Sequence, residues 1–136
     1  MGANQFYKTA RATTASAAFN ALVEQDQWES GHQYSGGIGM KHDFFVIKTP
    51  AGLRKTTLLK IPAALGDYAF ARSVAENTFE TPGQRAAATK RMAKIRATYA
   101  YVPFERLSLD YNDKWGPALC LALPGSEFVF FGLASS

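Results

Sequence analysis

The chain has one cysteine, Cys120, among its 136 residues, so no disulfide can form within it. Its two histidines, His32 and His42, belong to no His-x-x-x-His or Cys-x-x-Cys spacing. A structural zinc site with four ligands is therefore not expected, and neither a metal nor another cofactor is predicted. A lone cysteine fits a reducing compartment, which favours the cytoplasm.

Long apolar runs are also missing. No stretch approaches the roughly 18 apolar residues that a membrane-spanning helix requires. The first residues, Met1 to Gln5, lack the basic start and the apolar centre of a signal peptide. We therefore expect no membrane partner.

Sequence motifs that would identify an enzymatic reaction are absent as well. The glycine-rich stretch cannot complete a phosphate-binding loop, because Gly39 is followed by Met40 and a predicted strand. No Gly-x-Ser-x-Gly nucleophile motif occurs. Cys120 lies in an apolar segment, where a buried thiol is inert. Catalysis is therefore not favoured.

The overall composition is that of a folded domain. Hydrophobic residues make up 47% of the chain and charged residues 19%, which is close to the globular average. The length suits a single domain spanning residues 1–136. The formal net charge of +4 permits an anionic partner without requiring one.

The order of predicted elements indicates an α+β fold. Helical spacing of apolar residues predicts three helices, over Ala15–Ser30, from Pro62 to a break at Thr81-Pro82-Gly83, and over Gln84–Tyr99. Strands are predicted over Gln5–Ala10, Ile38–Lys41, Phe44–Thr49, Thr56–Ile61, Leu107–Asn112 (weakly), Ala118–Leu123 and Glu127–Ala134. Two hairpins are predicted among them, one from Ile38–Lys41 and Phe44–Thr49, and one from the last two strands around Pro124-Gly125-Ser126. We expect a mainly antiparallel sheet with helices packed on one face.

The stretch Gly31–Lys41 holds four of the eleven glycines of the chain. Such a segment suits a bulged strand entry packed closely under another element, which is the favoured interpretation. The alternative is a catalytic or ligand site, in which His32 acts as a general base near Tyr34 or Lys41.

A second unusual cluster is the predicted turn Asp113–Gly116. Trp115 could stack on a ring while a neighbouring lysine meets a phosphate. The favoured alternative is an anchor, with Trp115 covering the sheet edge and Asp113 capping the turn. A site combining the two clusters requires that the Gly31–Lys41 stretch and this turn meet in one pocket.

The strongest indication of a partner is a basic helix. No acidic residue occurs from Thr81 to Phe104, and Lys90, Arg91 and Lys94 are predicted to project from the helix. A second basic region contains Lys41, Lys48, Arg54, Lys55 and Lys60. If the two regions meet, they would suit a phosphate backbone. The alternative is an ordinary solvated helix face.

Several segments together resemble a family of small proteins from bacteriophages and some bacteria. They are Gly2-Ala3-Asn4-Gln5-Phe6, Gly31-His32, Tyr34-Ser35-Gly36, Asp113-Lys114-Trp115-Gly116-Pro117 and Phe130-Phe131-Gly132-Leu133-Ala134-Ser135-Ser136. Gln33 and Ser35 depart from the Gly-His-Gly-Gly-Tyr-Thr-Gly pattern of that family. The resemblance implies no catalytic residue, because no activity is established for the family. It favours a host-directed or nucleic-acid-related role in the host cytoplasm.

The leading hypothesis is a non-enzymatic protein that binds nucleic acid, or a host complex that handles nucleic acid. Lys90, Arg91 and Lys94 would make the contacts, with Arg54 and Lys55 adding to them. A third hypothesis is a protein-interaction module using Trp28 and Tyr101, which predicts a contiguous exposed apolar patch.

Overall fold

The computed structural model of the chain describes residues 2–30 and 36–135. Its helices are α1 (Ala15–Ser30), α2 (Lys55–Leu58), α3 (Ile61–Glu76), α4 (Pro82–Thr98) and α5 (Phe104–Asn112), with a 3-10 helix at Ile38–Met40. Its strands are β1 (Ala3–Arg11), β2 (Phe44–Val46), β3 (Ala118–Leu123) and β4 (Glu127–Ser135). The predicted α+β class is confirmed.

The four strands form one sheet in the order β1-β4-β3-β2. Strand β1 pairs antiparallel with β4 from Ala3 opposite Ser135 to Arg11 opposite Glu127. Strands β3 and β4 form the predicted hairpin, and β2 pairs parallel with β3. The sheet is therefore mainly antiparallel, as the sequence predicts.

Helices cover both faces of this sheet. Alternate residues of β3 point to opposite sides, so Leu119 and Leu121 pack with α3, α4 and α5, whereas Ala118 and Cys120 pack with α1. The prediction that helices pack on one face holds for α3 to α5. Helix α1 lies on the other face, because it follows β1 directly and buries its own apolar stripe there.

Helix α1 has the predicted bounds and the predicted buried stripe. The hydroxyl of Thr14 accepts a hydrogen bond from the backbone N–H of Ala17 at 3.1 Å, which caps the first turn. Ala18, Phe19 and Leu22 are buried against the sheet. Trp28 lies outside the stripe and is 89% exposed.

Helix α4 begins with a complete capping box. The hydroxyl of Thr81 accepts from the N–H of Gln84 at 3.1 Å, and the Gln84 side chain accepts from the N–H of Thr81 at 3.0 Å. Pro82 occupies the first turn, where its missing N–H costs nothing. The break predicted at Thr81-Pro82-Gly83 is thus the start of the helix.

The predicted hairpin at Ile38–Lys41 and Phe44–Thr49 is wrong. Residues 38–40 form a 3-10 helix, and the strand shortens to Phe44–Val46. The physical reason is the carboxylate of Asp26 in α1, which accepts a hydrogen bond from the N–H of Gly39 at 2.7 Å. A Cβ atom at Gly39 would collide with this carboxylate. The close packing expected of the glycines is therefore present, but not the strand.

Two further strand predictions are also wrong. Residues 56–61 belong to α2 and the start of α3, and residues 107–112 lie in α5. In α5 the buried residues Phe104, Leu107 and Tyr111 follow helical spacing, which a window starting at Leu107 does not reveal.

No helix in the described residues is long and apolar enough to cross a membrane.

Candidate functional site

The side of α4 opposite its buried stripe carries only lysine among charged residues. Ala88 and Met92 are buried on the opposite side, where α4 packs on α3. Residues three and four apart share one side of a helix. The outward side is accordingly made of five exposed residues, Ala86, Lys90, Ala93, Lys94 and Ala97. We call this surface the lysine face.

Arginines on both flanks tie α4 to its neighbours. Arg91 pairs with Asp67 of α3 at 3.0 Å, and about 60% of each side chain remains exposed. Arg96 donates to the hydroxyl of Tyr68 at 2.7 Å and pairs with Glu105 of α5 at 3.3 Å. These contacts fix the orientation of α4 about its own axis, so that Lys90 and Lys94 point to solvent.

The predicted contact Arg91 is therefore shared with an acidic partner. Its pair with Asp67 is exposed, so solvent screens the attraction and the guanidinium still contributes positive potential. Lys90 and Lys94 form no ion pair within the described residues. They are the exposed cations of α4 that stay available to an anionic partner, whereas Arg85, which also forms no ion pair there, is half-buried.

In the second basic region, Arg54 and Lys55 lie at the start of α2. Lys55 pairs with Glu127 at 2.6 Å, and this hydrogen bond holds the pKa of Glu127 below its usual range. Arg54 is exposed at the residue preceding α2. Helix α2 packs on β3, whereas α4 packs on α3. Lys41 is buried and cannot contribute to a surface patch.

Lys41, the last residue of the glycine-rich stretch, contacts the Asp113–Gly116 turn. Its side-chain amine donates to the carbonyl oxygens of Asp113 at 3.3 Å, Lys114 at 3.2 Å and Gly116 at 2.9 Å. Burial lowers the pKa of Lys41 to about 8, and the Asp113 carboxylate opposes that shift.

These three hydrogen bonds allow the Lys41 side chain to hold the turn closed. An ammonium group has three N–H donors, and three carbonyl oxygens accept them here. The Asp113 carboxylate accepts from the N–H of Trp115 at 3.0 Å, which is the turn-capping role expected of it. His32 and Tyr34 lie outside the described residues, so the remaining members of this candidate site are not placed.

Other predicted features are placed as follows. Burial raises the pKa of Cys120 to about 12, which keeps the thiol protonated and inert. No group of metal-ligating side chains occurs in the described part of the chain. Trp28 belongs to α1, whereas Tyr101 packs with the cluster under α3 to α5, so the two aromatics do not share a patch.

The sequence analysis missed a groove between β1 and α3. It has a volume of about 740 Å³ and is lined in part by Gln5, Tyr7, Phe70 and Tyr111. The Gln5 side chain donates to the hydroxyl of Tyr111 at 3.0 Å across it. Gly66 of α3 is the available sequence signal, because a Cβ there would press on Tyr111 at 3.2 Å. We call this cavity the aromatic groove.

Comparisons with protein families, with curated proteins and with solved structures find no match to this chain. The resemblance to phage proteins therefore gains no support from a family match and stays a prediction.

Proposed function

We propose that the protein binds nucleic acid through the lysine face of α4, without catalysis. The observation that carries this proposal is the composition of that face, which has two unpaired lysines and no acidic residue. Long lysine side chains reach backbone phosphates and add a point charge without selecting a sequence. Binding is therefore expected to depend on charge and backbone rather than on base identity.

The three alanines of the lysine face support the same conclusion. Ala86, Ala93 and Ala97 have short side chains, so a phosphate backbone can come close to the helix without displacing bulk. Lys90 and Lys94 lie one turn apart and contact neighbouring phosphates along the same direction. Arg91 and Arg96 flank the face and add to its positive potential.

The fixed orientation of α4 also favours binding. Because contacts to Asp67, Tyr68 and Glu105 already hold the helix, little backbone freedom is lost when a partner docks on the lysine face. The same contacts pair the carboxylates of Asp67 and Glu105 with arginines of α4, which reduces the repulsion of phosphate by these two groups.

The test is a salt series of binding to short DNA and RNA, single-stranded and duplex, with the variant K90E/K94E. Removing two phosphate contacts should reduce the slope of log affinity against log salt by about 2 for duplex DNA. Affinity at low salt should fall at least about tenfold. Fluorescence anisotropy of labelled oligonucleotides measures both quantities.

The matched control is K48E/K60E, which makes the same charge change at two exposed positions outside α4. It should bind nearly as well as the unaltered protein. An equal loss in both double variants would mean that net charge, and not the lysine face, governs binding. Absence of binding by the unaltered protein at low salt would reject the proposal and leave a host protein as the partner to seek.

A further inference from the structure

Strand β1 is a long, open edge of the sheet. It has nine residues, Ala3–Arg11, which corresponds to about 30 Å of extended chain. It pairs with β4 along its whole length, and no strand within residues 2–30 and 36–135 pairs with its outer side. Only Phe6 among its side chains is buried. Exposed edges of this kind present unpaired N–H and C=O groups that template a further strand.

Strand β1 has few of the features that usually prevent another strand from pairing with a sheet edge. Proline is absent from β1, and its charged residues are Lys8 and Arg11. Arg11 is occupied, because it donates to the carbonyl oxygen of Gly125 at 3.1 Å. Lys8 is thus the one cation of the strand that remains open to a partner within the described residues.

Grooves accompany β1 on both faces of the sheet. The aromatic groove lies on the α3 side, where Gln5 and Tyr7 line it. A second groove of about 310 Å³ lies on the α1 side. Lys8 of β1 and Asp26 and Glu29 of α1 are among the residues that line it. We call the second cavity the acidic groove. A strand added beside β1 would place alternate side chains next to the two grooves.

The sequence of β1 matches these two grooves. On one face it offers Tyr7, which is half exposed and suits an aromatic surface. On the other face it offers Lys8, which forms no ion pair with Asp26 or Glu29 of its own chain among the described contacts. A strand with an aromatic residue next to a lysine therefore complements the surface beside β1.

We propose that two copies of this chain pair antiparallel through β1, which joins their sheets into one of eight strands. The two-fold axis runs perpendicular to the sheet, so each face continues into the same face of the partner. Lys8 of each copy then lies by the acidic groove of the other, near Glu29. Tyr7 of each copy lies by the aromatic groove of the other, near Phe70.

This pairing closes on itself. A two-fold interface uses the same patch on both copies, so it consumes the open β1 edge and leaves none for a third copy. The opposite edge of the sheet, β2, has only three residues and offers a poor template. A dimer, and not a fibre, is the expected product.

The test measures mass by light scattering and by sedimentation over a concentration series. The unaltered protein should pass from monomer to dimer. K8E and E29K should each weaken the dimer about tenfold or more, because each places like charges together at two symmetric positions. K8E/E29K should restore dimerisation, because the swap returns opposite charges to both positions.

The control is K48E, which changes the same charge at an exposed residue outside β1 and should leave the dimer intact. Hydrogen exchange provides a direct reading of the edge, since alternate amides of β1 should gain protection as concentration rises. A monomer at every concentration tested would overturn the proposal. So would a dimer that K8E and E29K leave unchanged, or failure of the charge swap to restore it. None of these results depends on nucleic-acid binding.

Discussion

At the scale of single residues, Lys41 explains how a glycine-rich segment and a distant turn come together. The residue is 3% exposed, and its ammonium group lies 5.9 Å from the centre of the Phe6 ring. Burying a cation costs free energy unless acceptors replace the lost water. The carbonyl oxygens of the turn supply that replacement, so the residue stabilises the turn despite its burial.

Replacing Lys41 with methionine should therefore destabilise the fold by about 1–3 kcal/mol at pH 7, because three charge-assisted hydrogen bonds are lost while the apolar stem is kept. Urea unfolding measures the change. Lys114→Met is the control, since Lys114 lies in the same turn but makes one hydrogen bond in the described residues, to the Gly2 carbonyl at 3.5 Å, beside a cation–π contact with Trp115 at 5.6 Å. Equal stability of the unaltered protein and the Lys41 variant would show that these hydrogen bonds contribute nothing to the free energy of unfolding.

The lowered pKa of Lys41 also predicts a dependence of stability on pH. In the unfolded chain a lysine keeps its proton up to a pKa of about 10.4, whereas the folded protein releases it near 8. Between these values the unfolded state binds more protons, so the contribution of Lys41 to the free energy of unfolding rises with pH.

The measurement for this second prediction is the difference in unfolding free energy between the unaltered protein and Lys41→Met at pH 7, 8, 9 and 10. That difference should grow with pH, by up to about 1.4 kcal/mol for each unit of pKa shift. Subtraction removes the titration of tyrosines and of other lysines. A flat difference would mean that Lys41 keeps its ordinary pKa in the folded protein, and a falling difference would mean that folding raises this pKa; either result contradicts the prediction.

At the scale of elements, sequence patterns succeed where a helix or strand is long and its signals are local. The ends of helix α1 could be predicted because its apolar stripe lies within the helix and its capping residue, Thr14, directly precedes it. Strands β3 and β4 could be predicted from the apolar runs around Pro124-Gly125-Ser126. The first and last strands of the chain pair with each other, which no local signal reveals.

The wrong prediction at Ile38–Lys41 depends on a distant contact. The 3-10 helix at Ile38–Met40 exists because Asp26 reaches Gly39 from another element. Similarly, only the fold shows that Arg91 has an acidic partner and that Lys90 does not. The basic helix could be recognised from its missing acids, but the choice of available cations required the neighbours of α4. For the aromatic groove, formed between β1 and α3, the one sequence signal is Gly66, and its meaning depends on the distant neighbour Tyr111.

At the scale of the whole molecule, the sheet separates two surfaces. Helix α1 covers one face, and α3 to α5 cover the other, where the lysine face lies on the outside of α4. A two-fold axis perpendicular to the sheet would place the α4 helices of two copies on the same side of the joined sheet. Two lysine faces would then be presented to one nucleic acid.

The two proposals together predict that binding strengthens with length. A duplex of about 30 base pairs, roughly three helical turns, should bind the dimer more tightly than a duplex of about 10, because the second lysine face binds at high effective concentration. K8E should abolish this advantage while leaving affinity for the short duplex close to that of K48E, which carries the same net charge. If the unaltered protein gains nothing from the longer duplex beyond the greater number of sites, the two lysine faces act independently. In that case β1 pairing, even if it occurs, does not align them on one nucleic acid.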